Sequence, residues 1–322
     1  MKKIVCFGGG NVVPKLILKP LKEKGFEMIG ITSMVDNGGS SGILRREFNV
    51  LPPGDIRRYL IALADLSSGE KWKEKLWSLR FATDIELSPG HFGHNFANVF
   101  IVGLEKEYGF EKALDILHQF LNIKKGKALP ATLDKVQLVA ELEDGTLIEG
   151  EDEIDVGENH DRTKKIKRVF LKPEAKGYPK TIEEIEKADV IIIGPGDLYS
   201  SIIPCFLPEG IKKAISSSKA KKIFICPLMT KLGETQRFSV SDFTKEIEKY
   251  IGTNLDFVIY NNKIPSKERI EKTKKEGEFL LEIVSFENLP KDKKFVGEDL
   301  ITEEGEVLHD SQKLQKALAN LI

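Results

Sequence analysis

One seven-residue stretch limits what this chain can fold into more than any other part of the sequence. An apolar run over 26–35, which predicts a buried strand, ends directly in Asp36-Asn37-Gly38-Gly39-Ser40-Ser41-Gly42. Such a loop has little side-chain bulk and many accessible backbone N–H groups, so an anionic ligand can approach it closely. In open α/β sheets, ligands bind where the strands end. The stretch therefore predicts a phosphate site, with a plain Gly/Ser turn as the alternative.

Strand-like runs alternate with helical patterns along the chain. The predicted strands cover 3–7, 26–35, 169–171, 190–193, 223–226 and 257–260. The predicted helices cover 14–24, 55–64, 72–79, 92–108, 111–121 and 310–322, and a further short helix ends at Ala188. This alternation is typical of an α/β, Rossmann-like, doubly wound and mostly parallel sheet with helices on both faces.

Some local features are predicted in more detail. Residues 136–142 and 146–149, joined by Glu143-Asp144-Gly145, predict an inserted β-hairpin. Asp55 is expected to cap its helix, with metal ligation as the alternative, and Thr181 with Glu184 suggests a capping box. We expect a single domain over 1–322, in which the charged segment 149–177 is an insertion or a mobile region.

Composition excludes several classes of protein. The formal net charge is −1, which gives no electrostatic case for binding a nucleic-acid polymer. Cys6, Cys205 and Cys226 have no metal-ligand spacing and form an odd set, as expected for a reducing compartment without disulfides. No apolar run approaches the length of a membrane-spanning helix or a signal peptide. We therefore expect a cytoplasmic protein.

Two further strand ends lead into glycine-rich loops. Gly8-Gly9-Gly10-Asn11 follows the first strand and precedes a helix, which makes an anion site. Val13 stands where the third glycine of a dinucleotide fingerprint belongs, so a nicotinamide dehydrogenase is disfavoured. The second loop, 194–201, follows the fully apolar strand over 190–193, and its Ser200 and Ser201 either cap the next helix or offer donors to a phosphate. Glycine loops at several strand ends of one sheet favour the phosphate interpretation.

Three more segments contribute candidate residues. In Pro52-Pro53-Gly54-Asp55-Ile56-Arg57-Arg58, an arginine such as Arg57 is placed to reach an anion held by the preceding loop. The segment 90–98 holds two histidines, His91 and His94, without a third zinc ligand nearby. His94 and Asn98 form a polar pair at helical spacing. Thr230 follows another strand end, although a loop hydrogen bond explains it equally well.

Taken in order, these segments resemble the CofD-like superfamily and, within it, the YvcK-like "gluconeogenesis factor" branch. The resemblance covers about residues 8–242, and the D-x-G-G-S-S-G and P-P-G-D-I-R forms are of the YvcK-like kind. The chain departs from the family pattern at Val12, Asn37, Ala97, Asp197 and Pro227. Asn37 replaces a second aspartate and so removes one metal-binding charge.

The resemblance implies a Rossmann-like core that binds a nucleotide-bearing ligand. For the YvcK-like branch it implies a UDP-sugar such as UDP-N-acetylglucosamine and a role in carbon metabolism and cell-envelope homeostasis. The alternative is a magnesium-dependent 2-phospho-lactate transferase of deazaflavin coenzyme synthesis, in which Asp36 holds Mg²⁺. Without an evident nucleophile–base pair, we expect binding rather than catalysis. A homodimer and an unidentified downstream protein partner stay open. The residues expected at the ligand are Gly9, Gly10, Asn11, Asp36, Asn37, Ser40, Ser41, Arg57, His94, Asn98, Gly194, Gly196, Tyr199, Ser200 and Thr230.

Overall fold

The structure of the chain is a computed structural model, and it describes residues 1–81, 86–88, 91–157, 159–276 and 279–322. The strands of these ranges are β1 (Lys3–Phe7), β2 (Glu27–Thr32), β3 (Glu86–Ser88), β4 (His91–Phe92), β5 (Gly126–Pro130), β6 (Gln137–Leu142), β7 (Leu147–Glu149), β8 (Ile166–Lys172), β9 (Val190–Ile193), β10 (Lys221–Ile225), β11 (Met229–Lys231), β12 (Phe257–Asn261), β13 (Leu280–Ile283) and β14 (Phe295–Glu298).

The helices of the same ranges include two short π-helical turns and two 3₁₀ turns. The α-helices are α1 (Lys19–Glu23), α2 (Gly39–Phe48), α3 (Gly54–Leu63), α4 (Trp72–Ser78), α5 (Phe96–Tyr108), α6 (Phe110–Phe120), α7 (Glu151–Asp155), α8 (Pro179–Glu186), α9 (Ile211–Ser217), α10 (Val240–Ile251), α11 (Lys267–Glu276) and α12 (Ser311–Ala319). The π turns are Pro14–Leu18 and Leu198–Ile202, and the 3₁₀ turns are Ser68–Glu70 and Ile203–Cys205.

A parallel sheet forms the centre of the molecule. Its strand order among the described residues is β14-β12-β10-β9-β1-β2-β5, and every neighbouring pair is parallel. β1 lies between β2 and β9, with Val5 opposite both Ile29 and Ile191. The chain adds strands on one side of β1 first and on the other side later, so the order reverses between β1 and β9. Such a reversal leaves a crevice beyond the strand ends.

The central strands are covered on both faces. Successive strand residues point to opposite faces of a sheet, and Ile191, Ile192 and Ile193 are all fully buried. The predicted α/β, Rossmann-like fold is therefore confirmed. β6, β7 and β8 form a separate antiparallel sheet, which includes the predicted hairpin with Ala140 opposite Ile148.

Several local predictions were wrong. The Gly/Ser stretch is only partly a loop, because α2 begins at Gly39 and takes in its second half. The N-cap of α3 is Pro53, so Asp55 lies in the first turn rather than at the cap. The N-cap of α8 is Tyr178, while the Thr181 hydroxyl donates to the Pro130 carbonyl at 2.7 Å. Asp55 and Thr181 contact residues that are distant in sequence, and local sequence does not reveal such contacts.

The predicted segment 149–177 contains the end of β7, helix α7 and strand β8. β8 pairs along its length with β6, from Gln137 opposite Lys172 to Leu142 opposite Ile166. Gly150, with φ at +111°, makes the turn from β7 into α7. The segment thus brings α7 to the strand ends of the central sheet.

Gly30 in β2 offers a test of the core beneath the crevice. A Cβ atom at Gly30 would lie 2.2 Å from the Tyr59 ring, and Tyr59 itself is buried and donates to the Gly8 carbonyl at 2.7 Å. Gly30→Ala should lower the free energy of unfolding by about 1–3 kcal/mol, because the ring has nowhere to move. Urea denaturation monitored by circular dichroism measures this change in the free energy of unfolding.

The matched control is Gly103→Ala in the interior of α5. Nothing lies within 4 Å of a Cβ atom at Gly103, so the substitution should stabilise the protein by up to about 1 kcal/mol through helix propensity alone. Equal unfolding midpoints for the two variants would show that the packing around Tyr59 is looser than described.

Candidate ligand-binding site

A cavity of about 600 Å³ lies at the strand ends beside β1 and β9. It is enclosed by the loops that follow β1, β2 and β9 and by the first turns of α2, α3 and α7. Its lining, among the described residues, is Gly9, Gly10, Asn11, Val12, Ser33, Asp36, Gly38, Gly39, Ser40, Ser41, Gly54, Asp55, Arg57, Arg58, Arg80, Asn98, Glu151, Asp152, Asp155, Val156, Gly196, Asp197, Ser200 and Ser201. The cavity therefore sits where an α/β sheet binds ligands.

The N-terminus of α2 points its backbone donors at this cavity. The first N–H groups of a helix have no partner within the helix, and α2 has no side-chain cap. Gly42 is the first residue of the helix to bond backward, to the Gly38 carbonyl at 2.8 Å. The N–H groups of Gly39, Ser40 and Ser41 therefore remain available to an anion, with the positive end of the helix dipole behind them.

Close packing explains two of the glycines in these loops. A Cβ atom at Gly10 would lie 2.3 Å from Asp55 Oδ1, and one at Gly54 would lie 2.4 Å from the Ser41 hydroxyl. Any side chain at these positions would displace Asp55 or Ser41 from the cavity wall. The glycines thus hold the loop after β1 and the start of α3 against α2.

Ser40 is the centre of a polar network on the cavity wall. Its hydroxyl lies 2.9 Å from His94 Nδ1, and the Asn98 side-chain amide donates to Ser40 Oγ at 3.2 Å. Asn98 is 4% exposed, and its Oδ1 has no hydrogen-bond partner. The sequence predicted the polar pair of His94 and Asn98 but not the contact of both residues with Ser40.

Three arginines supply positive charge to the cavity. Burial, together with the neighbouring guanidinium groups of Arg58 and Arg80, lowers the pKa of Arg57 to about 10. Arg58 donates to Asp55 Oδ1 at 3.0 Å, whereas the Nε atom of Arg57 is buried without a partner. Arginines that destabilise one another in this way are relieved by an anion such as a phosphate.

The cavity also holds closely spaced carboxylates. Burial and the charge on Asp55 raise the pKa of Asp36 to about 6, although hydrogen bonds from Ser41 and Gly38 oppose the shift. Burial raises the pKa of Asp55 as well. Burial and the charges on Asp36, Asp155, Asp55 and Asp152 raise the pKa of Glu151 well above its usual range. A cation bound between Asp36 and Asp55 would relieve this repulsion, so the residues present fit a divalent ion held by oxygen ligands.

Helix α7 forms one wall of the cavity. Asn37 Oδ1 accepts a hydrogen bond from the Asp152 N–H at 3.0 Å, which satisfies a donor in the first turn of α7. At the other end of the helix, Asp155 forms an ion pair with Lys231. Asn37 therefore positions α7 and does not itself face the ligand space.

A second acidic group lies beside the cavity, around Lys231. Carboxylate oxygens of Asp155, Asp197 and Glu234 lie within 4.8 Å of one another, which is close enough to hold a metal ion. Lys231 Nζ already contacts all three: it pairs with Asp155 and lies 3.4 Å from Asp197 Oδ2 and 3.7 Å from Glu234 Oε1. The ammonium group thus supplies the positive charge at these three carboxylates, as Arg58 does at Asp55.

Glu234 stabilises the turn that follows β9. Its Oε2 accepts from the Tyr199 N–H at 2.8 Å and the Ser200 N–H at 3.2 Å, and its Oε1 accepts from the Ser200 hydroxyl at 3.0 Å. Burial raises the pKa of Glu234 to about 8, with Asp197 and Asp155 adding to the shift and Lys231 opposing it. Glu234 therefore binds its proton more tightly in the folded protein than in the unfolded chain.

Many of the residues predicted from sequence meet in the cavity. Those that line it are Gly9, Gly10, Asn11, Asp36, Ser40, Ser41, Arg57, Asn98, Gly196 and Ser200. Others support it from outside the lining of the described residues, namely Asn37, His94, Gly194, Tyr199 and Thr230. Thr230 is buried, and its hydroxyl donates to the Glu282 carbonyl at 3.4 Å. Gly90 and the side chain of His91 lie outside the described residues.

Sequence reasoning missed the contribution of α7 and of Arg80. Glu151, Asp152 and Asp155 belong to an acidic run that looks like a solvated surface, and only the pairing of β6 with β7 brings it to the cavity. Arg80 lies beyond the end of α4 and reaches the site through a bridge to Asn95. Neither position carries a motif that would have identified it.

The titration of Glu234 gives a testable pH dependence. A folded-state pKa above the unfolded value stabilises the protein below the unfolded pKa, and this stabilisation is lost as pH rises towards about 8. The glutamine side chain of Glu234→Gln does not titrate, so the variant does not lose this stabilisation. Relative to the unaltered protein, its free energy of unfolding should therefore rise between pH 5 and pH 8, by more than about 1 kcal/mol.

Urea unfolding at a series of pH values measures this difference. The control is Glu183→Gln in α8, where Lys187 holds the pKa of the carboxyl below its usual value and no titration falls in this range. A flat difference for Glu234→Gln would mean that the carboxyl is ionised throughout.

Comparison with known proteins places the chain in a family. Residues 4–299 match the family described as 2-phospho-L-lactate transferase CofD. A putative gluconeogenesis factor of Thermotoga maritima is 41% identical over 99% of both chains, and a gluconeogenesis factor of Bacillus subtilis is 35% identical over 99% of this chain and 98% of its own. A solved structure of a upf0052 family member from Bacillus halodurans is 32% identical, with full coverage of both chains and a TM-score of 0.85. The chain therefore belongs to the CofD-like family and, as the motifs predicted, to its gluconeogenesis-factor branch.

Proposed function

We propose that the chain binds a nucleotide sugar of the UDP-N-acetylglucosamine type and acts as a regulatory factor in carbon metabolism and cell-envelope and cell-shape homeostasis. The observation that carries the proposal is that one cavity is lined by open N–H groups at the start of α2 and by Arg57, whose buried Nε has no hydrogen-bond partner among the described residues. Hydrogen bonds to a charged group contribute about 1.5–3 kcal/mol each, so four of them support roughly micromolar binding.

The relatives and the cysteines support the proposed role and its cellular setting. The relatives named gluconeogenesis factors support a role in carbon metabolism. The buried, unpaired Cys6, Cys205 and Cys226 support a reducing, cytoplasmic setting. None of the helices in the described ranges has the length and apolar character to cross a lipid bilayer.

The second candidate is a magnesium-dependent transferase of a phospho-lactyl group, as in the family description. Asp36 and Asp55 favour it, because both carboxylates line the cavity and both have raised pKa values. Mg²⁺ held there would neutralise charge on a transferring phosphoryl group. Asn37 no longer counts against this candidate, since its side chain contacts α7 rather than the ligand space.

Calorimetric titration separates these candidates. The unaltered protein should bind UDP-N-acetylglucosamine, with UDP-glucose, GDP and NAD as comparison ligands, each with and without Mg²⁺. Binding of the UDP-sugar at micromolar concentration, without release of product over hours, supports a binding factor. Failure of every UDP-sugar to bind would overturn the proposal, and turnover of a phospho-lactyl donor would establish the transferase instead.

Two arginine variants show whether binding occurs in this cavity. Arg57→Leu removes a donor that has no partner in the protein and should weaken UDP-N-acetylglucosamine binding by about tenfold or more. Arg168→Leu, on the exposed hairpin sheet, should leave the affinity unchanged. Equal affinities for the two variants would place the ligand elsewhere.

Asp36→Asn tests whether a cation participates. Without Mg²⁺, removal of this carboxylate should strengthen binding of UDP-N-acetylglucosamine severalfold, because one negative charge no longer faces the diphosphate. Any gain in affinity that the unaltered protein obtains from Mg²⁺ should disappear in the variant. Titrations with and without Mg²⁺ measure both effects, and an undiminished Mg²⁺ effect in Asp36→Asn would exclude Asp36 as a ligand.

A further inference from the structure

The unpartnered oxygen of Asn98 points to a specific requirement on the ligand. Asn98 is 4% exposed and lies in the first turns of α5, where its side chain lines the cavity. A buried amide oxygen without a hydrogen bond is costly, and nearly all such groups in proteins find a partner. The described protein offers Asn98 Oδ1 none, so the partner must come from what enters the cavity.

Counting protons around Ser40 shows what kind of partner is needed. The Asn98 side-chain amide donates to Ser40 Oγ at 3.2 Å, and Ser40 Oγ lies 2.9 Å from His94 Nδ1. In the tautomer whose Nδ1 carries no proton, the single hydroxyl proton of Ser40 is donated to that nitrogen. Ser40 Oγ then has no proton to offer a phosphate. Together, Ser40 Oγ and Asn98 Oδ1 present acceptors to the cavity.

The neighbouring surface has the opposite character. Gly39 and Ser41 offer backbone N–H groups at the start of α2, and Arg57 offers a buried Nε. These donors suit phosphate oxygens, which only accept hydrogen bonds at neutral pH. The cavity thus presents donors together with the carboxylates of Asp36 and Asp55 at α2 and α3, and a neutral acceptor corner at Asn98.

We infer that the acceptor corner formed by Asn98, with Ser40 held by His94, binds a hydroxyl or N–H group on the carbon part of a phosphorylated ligand. The inference rests on the proposed function and narrows it, because it requires a polyol or amide group beside the phosphates. Both the ribose and the second sugar of a nucleotide sugar carry such groups. His94 acts here as a positioning residue, since it lies outside the described lining and acts through Ser40.

The experiment compares ligands with and without these donors. Affinities of inorganic pyrophosphate, UDP and UDP-N-acetylglucosamine are measured by calorimetry, or by competition for the weakest, on the unaltered protein and on Asn98→Ala. The substitution should lower the affinity for UDP-N-acetylglucosamine by about tenfold, the equivalent of one hydrogen bond. The affinity for pyrophosphate should stay within about twofold of that of the unaltered protein. If the affinity for UDP falls by the same factor, the group that donates to Asn98 is on the ribose, which UDP also carries. If the affinity for UDP does not change, the donor is on the second sugar.

The matched control is Asn95→Ala, three residues earlier at the N-cap of α5. Asn95 is also buried, but both polar ends of its side chain bond within the protein: Oδ1 accepts from the Ala97 and Asn98 N–H groups, and the amide donates to the Trp77 carbonyl. This variant should lower the thermal unfolding temperature without changing the ratio of UDP-N-acetylglucosamine to pyrophosphate affinity. His94→Ala, which releases Ser40, should reproduce part of the Asn98→Ala loss.

Each remaining outcome counts against the inference. If Asn98→Ala lowers the affinity for pyrophosphate as much as the affinity for the UDP-sugar, Asn98 binds phosphate and the acceptor corner does not exist. If it weakens neither, the carbon part of the ligand lies elsewhere. Asn98→Ser, which keeps a small polar group, provides the same comparison if the alanine variant fails to fold. If the unaltered protein binds neither UDP nor the UDP-sugar, the proposed function itself falls and this inference with it.

Discussion

The reversal of strand order between β1 and β9 is the constraint on which the rest of the structure depends. Because β2 and β9 flank β1 and are followed by separate loops, the ends of these strands open into a crevice rather than closing over one another. The buried residues on both faces of β1 and β9 fix these strand ends firmly. The positions of the loops after β1, β2 and β9 follow from this arrangement.

Charge of both signs meets in the crevice. Arg57, Arg58 and Arg80 lie there with carboxylates that include Asp36 and Asp55, and Arg58 pairs with Asp55 at 3.0 Å. Burial disfavours the ionised forms of Arg57, Asp36 and Asp55. Such a site is electrostatically incomplete without a ligand. A phosphate group would relieve the arginines and a divalent cation would relieve the carboxylates, so each of the two proposed functions has a physical basis in this cavity.

The sequence was informative where a residue's role depends on its own backbone. The hairpin and five strands of the central sheet, β1, β2, β9, β10 and β12, follow from apolar runs and turn residues, whereas β5 and β14 were not predicted. Gly9, Gly10 and Gly196 line the cavity, as expected for loops that leave room for a ligand. The sequence was less informative where a side chain contacts a distant partner. The Asn37 side chain bonds to α7, and Asp55 lies beside Gly10 in the cavity wall instead of capping α3. Local pattern contains no information on such pairings.

We propose above all that the crevice binds the diphosphate of a nucleotide sugar at the start of α2. A crystal structure of the protein with UDP-N-acetylglucosamine tests this proposal most directly. We expect phosphate oxygens within hydrogen-bonding distance of the Gly39, Ser40 and Ser41 N–H groups, with Arg57 turned towards them. A nucleotide sugar bound outside this cavity, or with its phosphates away from α2, would contradict it.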